Sequence, residues 1–245
     1  MELQVQWLGR VDYRSAWQRQ HELVAQRVAG RIPDQLLLLE HAPVLTLGRH
    51  ADPSHVRASA EDLTTRGIEL IRVERGGEVT YHGPGQLVAY PIVALAERRL
   101  LLRPFVRALE AAMAATAAQY GIAAGRREGQ PGCWCDPAGV TPRKMGALGV
   151  RVERGVSYHG IALNVTTDLT AFDLIHPCGM TGVDVTSIAR EAGWSGETAR
   201  PSTTSVEEAG RLFGQALEDA FRTAALPITS TGAASDVQRS TLTPV

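Results

Sequence analysis

The chain has 245 residues, 44% of them apolar, and a formal net charge of −1. That apolar content suits one globular domain without disulfide or metal staples, and the charge excludes an overall basic field for nucleic acid. No apolar run reaches the ~18 residues of a membrane span, the stretch MELQVQWLGR lacks the order of a secretory signal, and three cysteines make a poor disulfide framework. A reducing cytoplasm is the expected location. One bias stands out: of the 25 basic residues, 24 are arginine and one is lysine, Lys144. Arginine serves as a fixed charge, whereas lysine can lose its proton, so the surviving lysine marks a place where an amine is needed. Chance survival is the competing explanation.

In chain order, Tyr13 to Val28 reads as an amphipathic helix, with Trp17, His21, Val24 and Val28 at helical spacing. Leu36–Leu39 and Val44–Leu47 are short apolar runs joined by Glu40-His41-Ala42-Pro43, and read as paired strands. Ile68–Val73 and Gln86–Val93 are further strands. Pro104 to Tyr120 is an alanine-rich helix stopped by Gly121. Ala124 to Arg143, rich in glycine and proline, reads as loops around a short Cys133-Trp134-Cys135 segment. Met145–Val152 and Val156–Val165, split by Glu153-Arg154-Gly155, form an antiparallel hairpin. Ser205 to Ala225 is a last helix, opened by a Ser205/Glu208 capping box and burying Val206, Ala209, Leu212, Phe213, Ala216, Leu217 and Phe221 on one face. Clustered strands interrupted by helices predict a single α+β (mixed α/β) domain over residues 1–227, with a disordered Ser/Thr-rich tail over 228–245.

Four segments carry chemistry. Arg75 to Gln86 holds four glycines and a proline interleaved with Arg75, Thr80, Tyr81, His82 and Gln86, a backbone that can approach a ligand closely; a turn-rich hairpin is the other reading. Lys144-Met145-Gly146-Ala147-Leu148-Gly149 puts the lysine at the head of a small-residue strand, or else leaves it solvated at a strand end. Ser157 to Asn164 reads as a buried strand with a polar start, its histidine either functional or simply satisfied in the core. Tyr81-His82-Gly83 is echoed by Tyr158-His159-Gly160. In His176-Pro177-Cys178-Gly179, the cysteine sits on a constrained turn, which suits a nucleophile better than a buried structural thiol. A nucleophilic thiol needs an activator, and a lysine can serve as base or as charge. Cys133 and Cys135 have no partner pair at zinc-ligand spacing and read as small apolar residues beside Trp134.

Together, in this order, RGGEVTYHGPGQLVAYP (75–91), KMGALGVRV (144–152), HGIALNV (159–165) and PCG (177–179) resemble the lipoyl(octanoyl) transferases. The likeness runs from about residue 36 to 190. It implies the fold of lipoate and biotin ligase catalytic domains. It also implies transfer of an octanoyl group from acyl carrier protein to a lysine on lipoyl domains of 2-oxo acid dehydrogenases and on the glycine cleavage H protein. By the resemblance, Cys178 is the nucleophile and acyl carrier, and Lys144 its activator. Arg75, Gly76, Gly77, Glu78, Val79, Thr80, Tyr81 and His82, with Ala147, Leu148, Gly149, Gly160, Ile161 and Ala162, line the acyl site. No metal, cofactor, nucleic acid or membrane is implied, and a monomer is expected. The family often has alanine at Gly146 and aliphatic residues at His176 and beside the tryptophan. An ATP-dependent lipoate or biotin ligase is the main alternative; a carrier modified on Lys144 and an acyl-binding module are lesser ones.

Overall fold

A computed structural model describes residues 2–176, 183–194 and 205–225; Cys178 and the predicted tail lie outside them. In chain order the elements are β1 (Leu3–Val11), α1 (Tyr13–Val28), β2 (Asp34–His41), β3 (Val44–Leu47), α2 (Ala60–Thr65), β4 (Glu69–Arg72), β5 (Val79–His82), β6 (Gln86–Ile92), α3 (Leu102–Ala118), β7 (Ala124–Arg127), β8 (Gln130–Cys135), β9 (Arg143–Glu153), β10 (Val156–Asn164), β11 (Asp184–Val185), α4 (Ile188–Glu191) and α5 (Val206–Ala224). The described strands form a large sheet in the order β1-β2-β6-β10-β9-β8-β7, with β11 on β9, and a small sheet in the order β4-β3-β5. This is the predicted single mixed α/β domain.

Both faces of the large sheet are covered, so its central strands are apolar throughout rather than alternating. Side chains still point to opposite faces with period two. Leu36, Leu38, Leu87, Ala89, Ile161 and Leu163 pack under α3 and α5, against Phe105, Met113, Phe213 and Leu217. Leu37, Leu39, Val88, Tyr90 and Ala162 pack on the opposite face under α1, against Ala16, Leu23 and Val24. A third apolar cluster, with Leu45, Leu47, Val79 and Tyr81, fills the small sheet. The β9–β10 turn at Arg154-Gly155 has positive φ at both residues (50° and 83°), the two-residue hairpin geometry that matches strand twist.

Four expectations need correction. The runs 36–39 and 44–47 are not paired: β2 lies between β1 and β6, and β3 lies between β4 and β5 in the other sheet. A short apolar run carries no record of its partner, and Glu40 to Pro43 carries the chain from one sheet to the other. Residues 124–143 are not mainly loop. They supply β7 and β8, whose burial beneath α3 outweighs their glycine and proline content. The buried stripe of α1 is Tyr13, Ala16, Gln20, Leu23, Val24 and Arg27, with His21 exposed. Two polar residues belong to that stripe because they are bonded: Gln20 Oε1 accepts from the His159 amide at 2.7 Å, and Arg27 Nε donates to Asp34 at 2.8 Å. The Ser205 cap is formed, with its hydroxyl accepting from the Glu208 amide at 3.0 Å, but the Glu208 carboxylate takes Arg211 instead of closing the box.

Gly149 and Gly160 stand directly opposite each other on β9 and β10. A Cβ on Gly160 would come within 1.9 Å of the Ala89 carbonyl oxygen, and one on Gly149 within 2.5 Å of the Gly76 carbonyl oxygen. Neither neighbour is a side chain that can swing away. Gly160→Ala is therefore expected to lose about 3 kcal/mol of stability, as overpacked cores do, read as a lower midpoint in urea unfolding at unchanged slope.

Candidate active site

Alternation along β5 sorts the glycine-rich segment. Tyr81 turns into the small-sheet core, where it meets Phe172 edge-on at 5.7 Å, while Thr80 and His82 face the large sheet. Arg75, 7% exposed, is pinned by Thr46 on β3: its Nη2 donates to the Thr46 carbonyl at 2.7 Å and hydroxyl at 2.8 Å. The Gly76 amide donates to Val150 O on β9 at 3.2 Å, tying the loop to the large sheet. Between loop and sheet lies a cleft lined by Arg75, Gly77, Glu78, Val79, Thr80, His82, Ala147, Leu148, Gly149, Gly160, Ile161 and Ala162, with Tyr13, Tyr90 and His159. Twelve of the fourteen residues assigned to the acyl site by resemblance are thus brought together around one space; Gly76 and Tyr81 are outside its lining.

Tyr13, Tyr90 and His159 were not anticipated as lining residues. Tyr13 opens a helix and Tyr90 sits in an apolar strand, so neither carried a local signal. His159 did carry one, since its tripeptide echoes that of His82, and both histidines line the same cleft.

Three buried histidines in and behind the lining are held by hydrogen bonds and pushed below their ordinary range. His41, behind the cleft, donates from Nδ1 to Val11 O at 2.8 Å, and its Nε2 lies 2.8 Å from the Tyr90 hydroxyl. Burial lowers its pKa to about 4. His82 donates from Nδ1 to Gln86 Oε1 at 2.8 Å and stacks on Tyr13 with ring centroids 5.9 Å apart. Burial, reinforced by His41 and Arg75, puts it well below the usual histidine range. His159 is also lowered by burial, with Glu74 opposing the shift. Its Nε2 lies 3.3 Å from Glu74, which also accepts from Trp17 Nε1 at 3.1 Å. Burial by itself would raise Glu74, but the hydrogen bonds from His159 and Trp17 prevail and hold it at about 2.

Lys144 is 6% exposed, which excludes a solvated strand-end lysine. It lines a cavity with Gln86, Gly146, Asn164, Phe172 and Val185, whose lining shares Thr80, Ala147 and Ala162 with the cleft. On its other side, β11 pairs Val185 with Lys144 in parallel. A polar groove carrying Arg57, His176 and Val183 shares Phe172 and Val185 with the lysine cavity. Cys133 and Cys135 are buried in the core, and burial pushes both thiols up to about 12. They are small packing residues, as read from the sequence.

The site thus combines a mixed sheet with helices on both faces, a glycine-rich loop over its centre and a buried lysine. Comparison with solved structures agrees on the fold. A bipartite lipoate protein ligase from Thermoplasma acidophilum superposes with TM-score 0.63 at 15% identity, covering 91% of this chain and 84% of that one. Lipoate-protein ligase A bound with ATP gives 0.62 at 15%, with 91% and 86% covered. The Aquifex aeolicus biotin protein ligase gives 0.52 at 12%, with 90% and 71% covered. Residues 12–217 match the family model for the lipoyl protein ligase A/B catalytic domain. The octanoyltransferase of Acidobacterium capsulatum is 46% identical over 88% of this chain and 90% of its own length; that of Methylococcus capsulatus is 44% identical over 85% and 94%. The chain belongs to the lipoyl protein ligase A/B catalytic domain family, on its octanoyltransferase branch, and is an acyltransferase.

The buried histidines generate a pH signature. Unfolded histidine takes up a proton near pH 6.5, but folded His41 stays neutral down to about 4. Between those values the unfolded state binds more protons, so stability is full above about pH 6.5 and falls as pH drops toward 4. The slope is about 1.4 kcal/mol per pH unit for each such histidine. His41→Gln, which keeps a donor for Val11 O and an acceptor for Tyr90, is expected to flatten the decline in melting temperature between pH 6.5 and 4.5.

Proposed function

We propose that this acyltransferase moves an octanoyl group from octanoyl-acyl carrier protein to a lysine of lipoyl domains, through a thioester on Cys178. The observation that carries this reading is an apolar, glycine-floored cleft that shares Thr80, Ala147 and Ala162 with the cavity of the chain's only lysine. An acyl chain in the cleft would bring its carbonyl toward Lys144. Cys178 lies outside the described residues. Its sequence neighbour His176 lines the groove next to the lysine cavity, and two residues of chain span no more than about 7 Å. The octanoyltransferase relatives and the match of residues 12–217 support the octanoyl-transfer part of this reading.

In the first step the Cys178 thiolate attacks the carrier's thioester carbonyl. A new C–S bond forms, the old one breaks, and the carrier leaves as thiolate. In the second step the acceptor's neutral ε-amine attacks the acyl-cysteine. The C–N bond forms, the C–S bond breaks, and the amine's proton is released to solvent. Thioester exchange is nearly balanced and amide formation is downhill, so ATP is not required. Lys144 activates the cysteine, and the residues of 75–82, 147–149 and 160–162 hold the chain. Protein partners are octanoyl-acyl carrier protein and the lipoyl domains of 2-oxo acid dehydrogenases and the glycine cleavage H protein. The setting is cytoplasmic and the working unit a monomer.

Incubated with octanoyl-acyl carrier protein alone, the wild type is expected to gain one octanoyl mass, and Cys178→Ala none. A wild type that turns over without any adduct would refute the covalent step, while full ATP-dependent activity of Cys178→Ala would favour a ligase. At ~0.8 kcal/mol per buried methylene, hexanoyl donors should lose on the order of ten-fold in kcat/KM against octanoyl.

A further inference from the structure

An acyl chain and its carbonyl use the cleft and the lysine cavity, and neither use explains the polar groove beside them. That groove is lined by Arg57, Thr170, Asp173, His176, Asp184 and Arg190, with apolar side chains between them. Arg57 is exposed, and its guanidinium has no hydrogen bond or ion pair among the described residues. Its backbone, in contrast, is fixed. The Arg57 amide donates to Leu174 O at 2.8 Å and the His176 amide to His55 O at 2.7 Å, with Val56 and Ile175 bridged antiparallel between those bonds. Arg57 is therefore held directly across from the segment that leads to Cys178. Leu174 precedes Cys178 by four residues, a reach of at most about 14 Å, and the bridge adds about 5 Å. A phosphopantetheine arm has about thirteen bonds between sulfur and phosphorus, and at backbone-like bond lengths it extends about 16 Å. The two lengths are commensurate.

We propose that Arg57 binds the phosphodiester of the donor's phosphopantetheine arm, so that the polar groove is the donor's entrance to the site. That role rests on the octanoyl-carrier donor proposed above. A guanidinium takes phosphate oxygens in charge-assisted, often bidentate hydrogen bonds, and Arg57 has its donors uncommitted. Arg190 does not: its Nη1 donates to the carbonyl of Val185, the strand partner of Lys144, at 3.3 Å. Arg190 thus stands beside the reacting end of the arm and leaves the phosphate end to Arg57. Between those ends the arm alternates amides with short hydrocarbon runs. The lining is mixed in the same way, with Thr170 and His176 among Phe172, Ile175 and Val183. Two aspartates offset the two arginines of the groove, so a local contact at Arg57, and not a net positive field, selects the anion.

Three octanoyl donors separate the phosphate from the protein that carries it. Octanoyl-acyl carrier protein has both, octanoyl-coenzyme A has the phosphate alone, and octanoyl-pantetheine has neither. With the full chain and one lipoyl-domain acceptor, Arg57→Gln is expected to raise KM on the order of ten-fold for the first two donors, with kcat little changed. Octanoyl-pantetheine should be used as well as by the wild type, and Arg57→Lys should restore most of the loss. An equal loss with octanoyl-pantetheine would make the effect structural. A loss confined to the carrier protein would make Arg57 a protein contact, and a raised KM for the lipoyl domain would assign it to the acceptor. Each of these outcomes, or no change with any donor, overturns the phosphate site. Binding tests the site apart from turnover. In titration calorimetry the wild type is expected to bind holo carrier protein more tightly than the apo form, which lacks the arm, and Arg57→Gln to lose most of that difference. A wild type that binds both forms alike refutes the site even if the enzyme is active. A wild type that prefers the holo form but gains no octanoyl mass on Cys178 keeps the phosphate site and loses the thioester mechanism.

Discussion

The double pairing of β9 is the constraint on which cleft, lysine and core all rest. On one side β10 holds it in register from Glu153 to Gly146, which sets Gly149 against Gly160 and opens the floor of the cleft. On the other side β8 holds it through a bulge that carries Lys144 opposite Trp134. A one-residue slip in a strand moves every side chain to the other face. Here the slip occurs at one point only, so Ala147 to Gly149 keep the regular alternation while Lys144 is re-aimed. β8 pairs with β9 over Arg143–Gly146 and β10 over Gly146–Glu153, so the two registers meet at Gly146.

The cleft combines an apolar capacity with a polar, rigid back wall. Tyr13, His41, His82, Tyr90 and His159 pack ring against ring, with centroids 5.0 to 6.4 Å apart. His41, His82 and His159 are joined to Val11 O, Gln86 and Glu74 respectively, while His159 Nδ1 has no hydrogen-bond partner among the described residues. Burial keeps the histidines lowered from their ordinary range. Neutral imidazoles cost a hydrocarbon chain less to approach than charged ones would. The one arginine in the lining, Arg75, spends its hydrogen bonds on Thr46 and Gly76.

The solved ligases match this fold at 12–15% identity, whereas the octanoyltransferase relatives reach 44–46%. The fold alone therefore does not choose between adenylate and thioester chemistry. In the function proposed above, that choice falls to the cysteine segment and the lysine of β9.

The sequence by itself determined the helix over 13–28, the β9–β10 hairpin, the final capped helix and the glycine-rich loop, because these depend on local periodicity, turn chemistry and caps. It also singled out Lys144, through a bias that no fold is needed to see. Only the tertiary structure decided that residues 36–39 and 44–47 belong to different sheets, since an apolar run does not encode its partner. Only packing under α3 turned 124–135 into strands. Tyr13 and Tyr90 entered the site unannounced for the same reason. An aromatic side chain in a helix or an apolar strand looks like core until the chain folds, and non-local registry alone sets which cavity its ring will face.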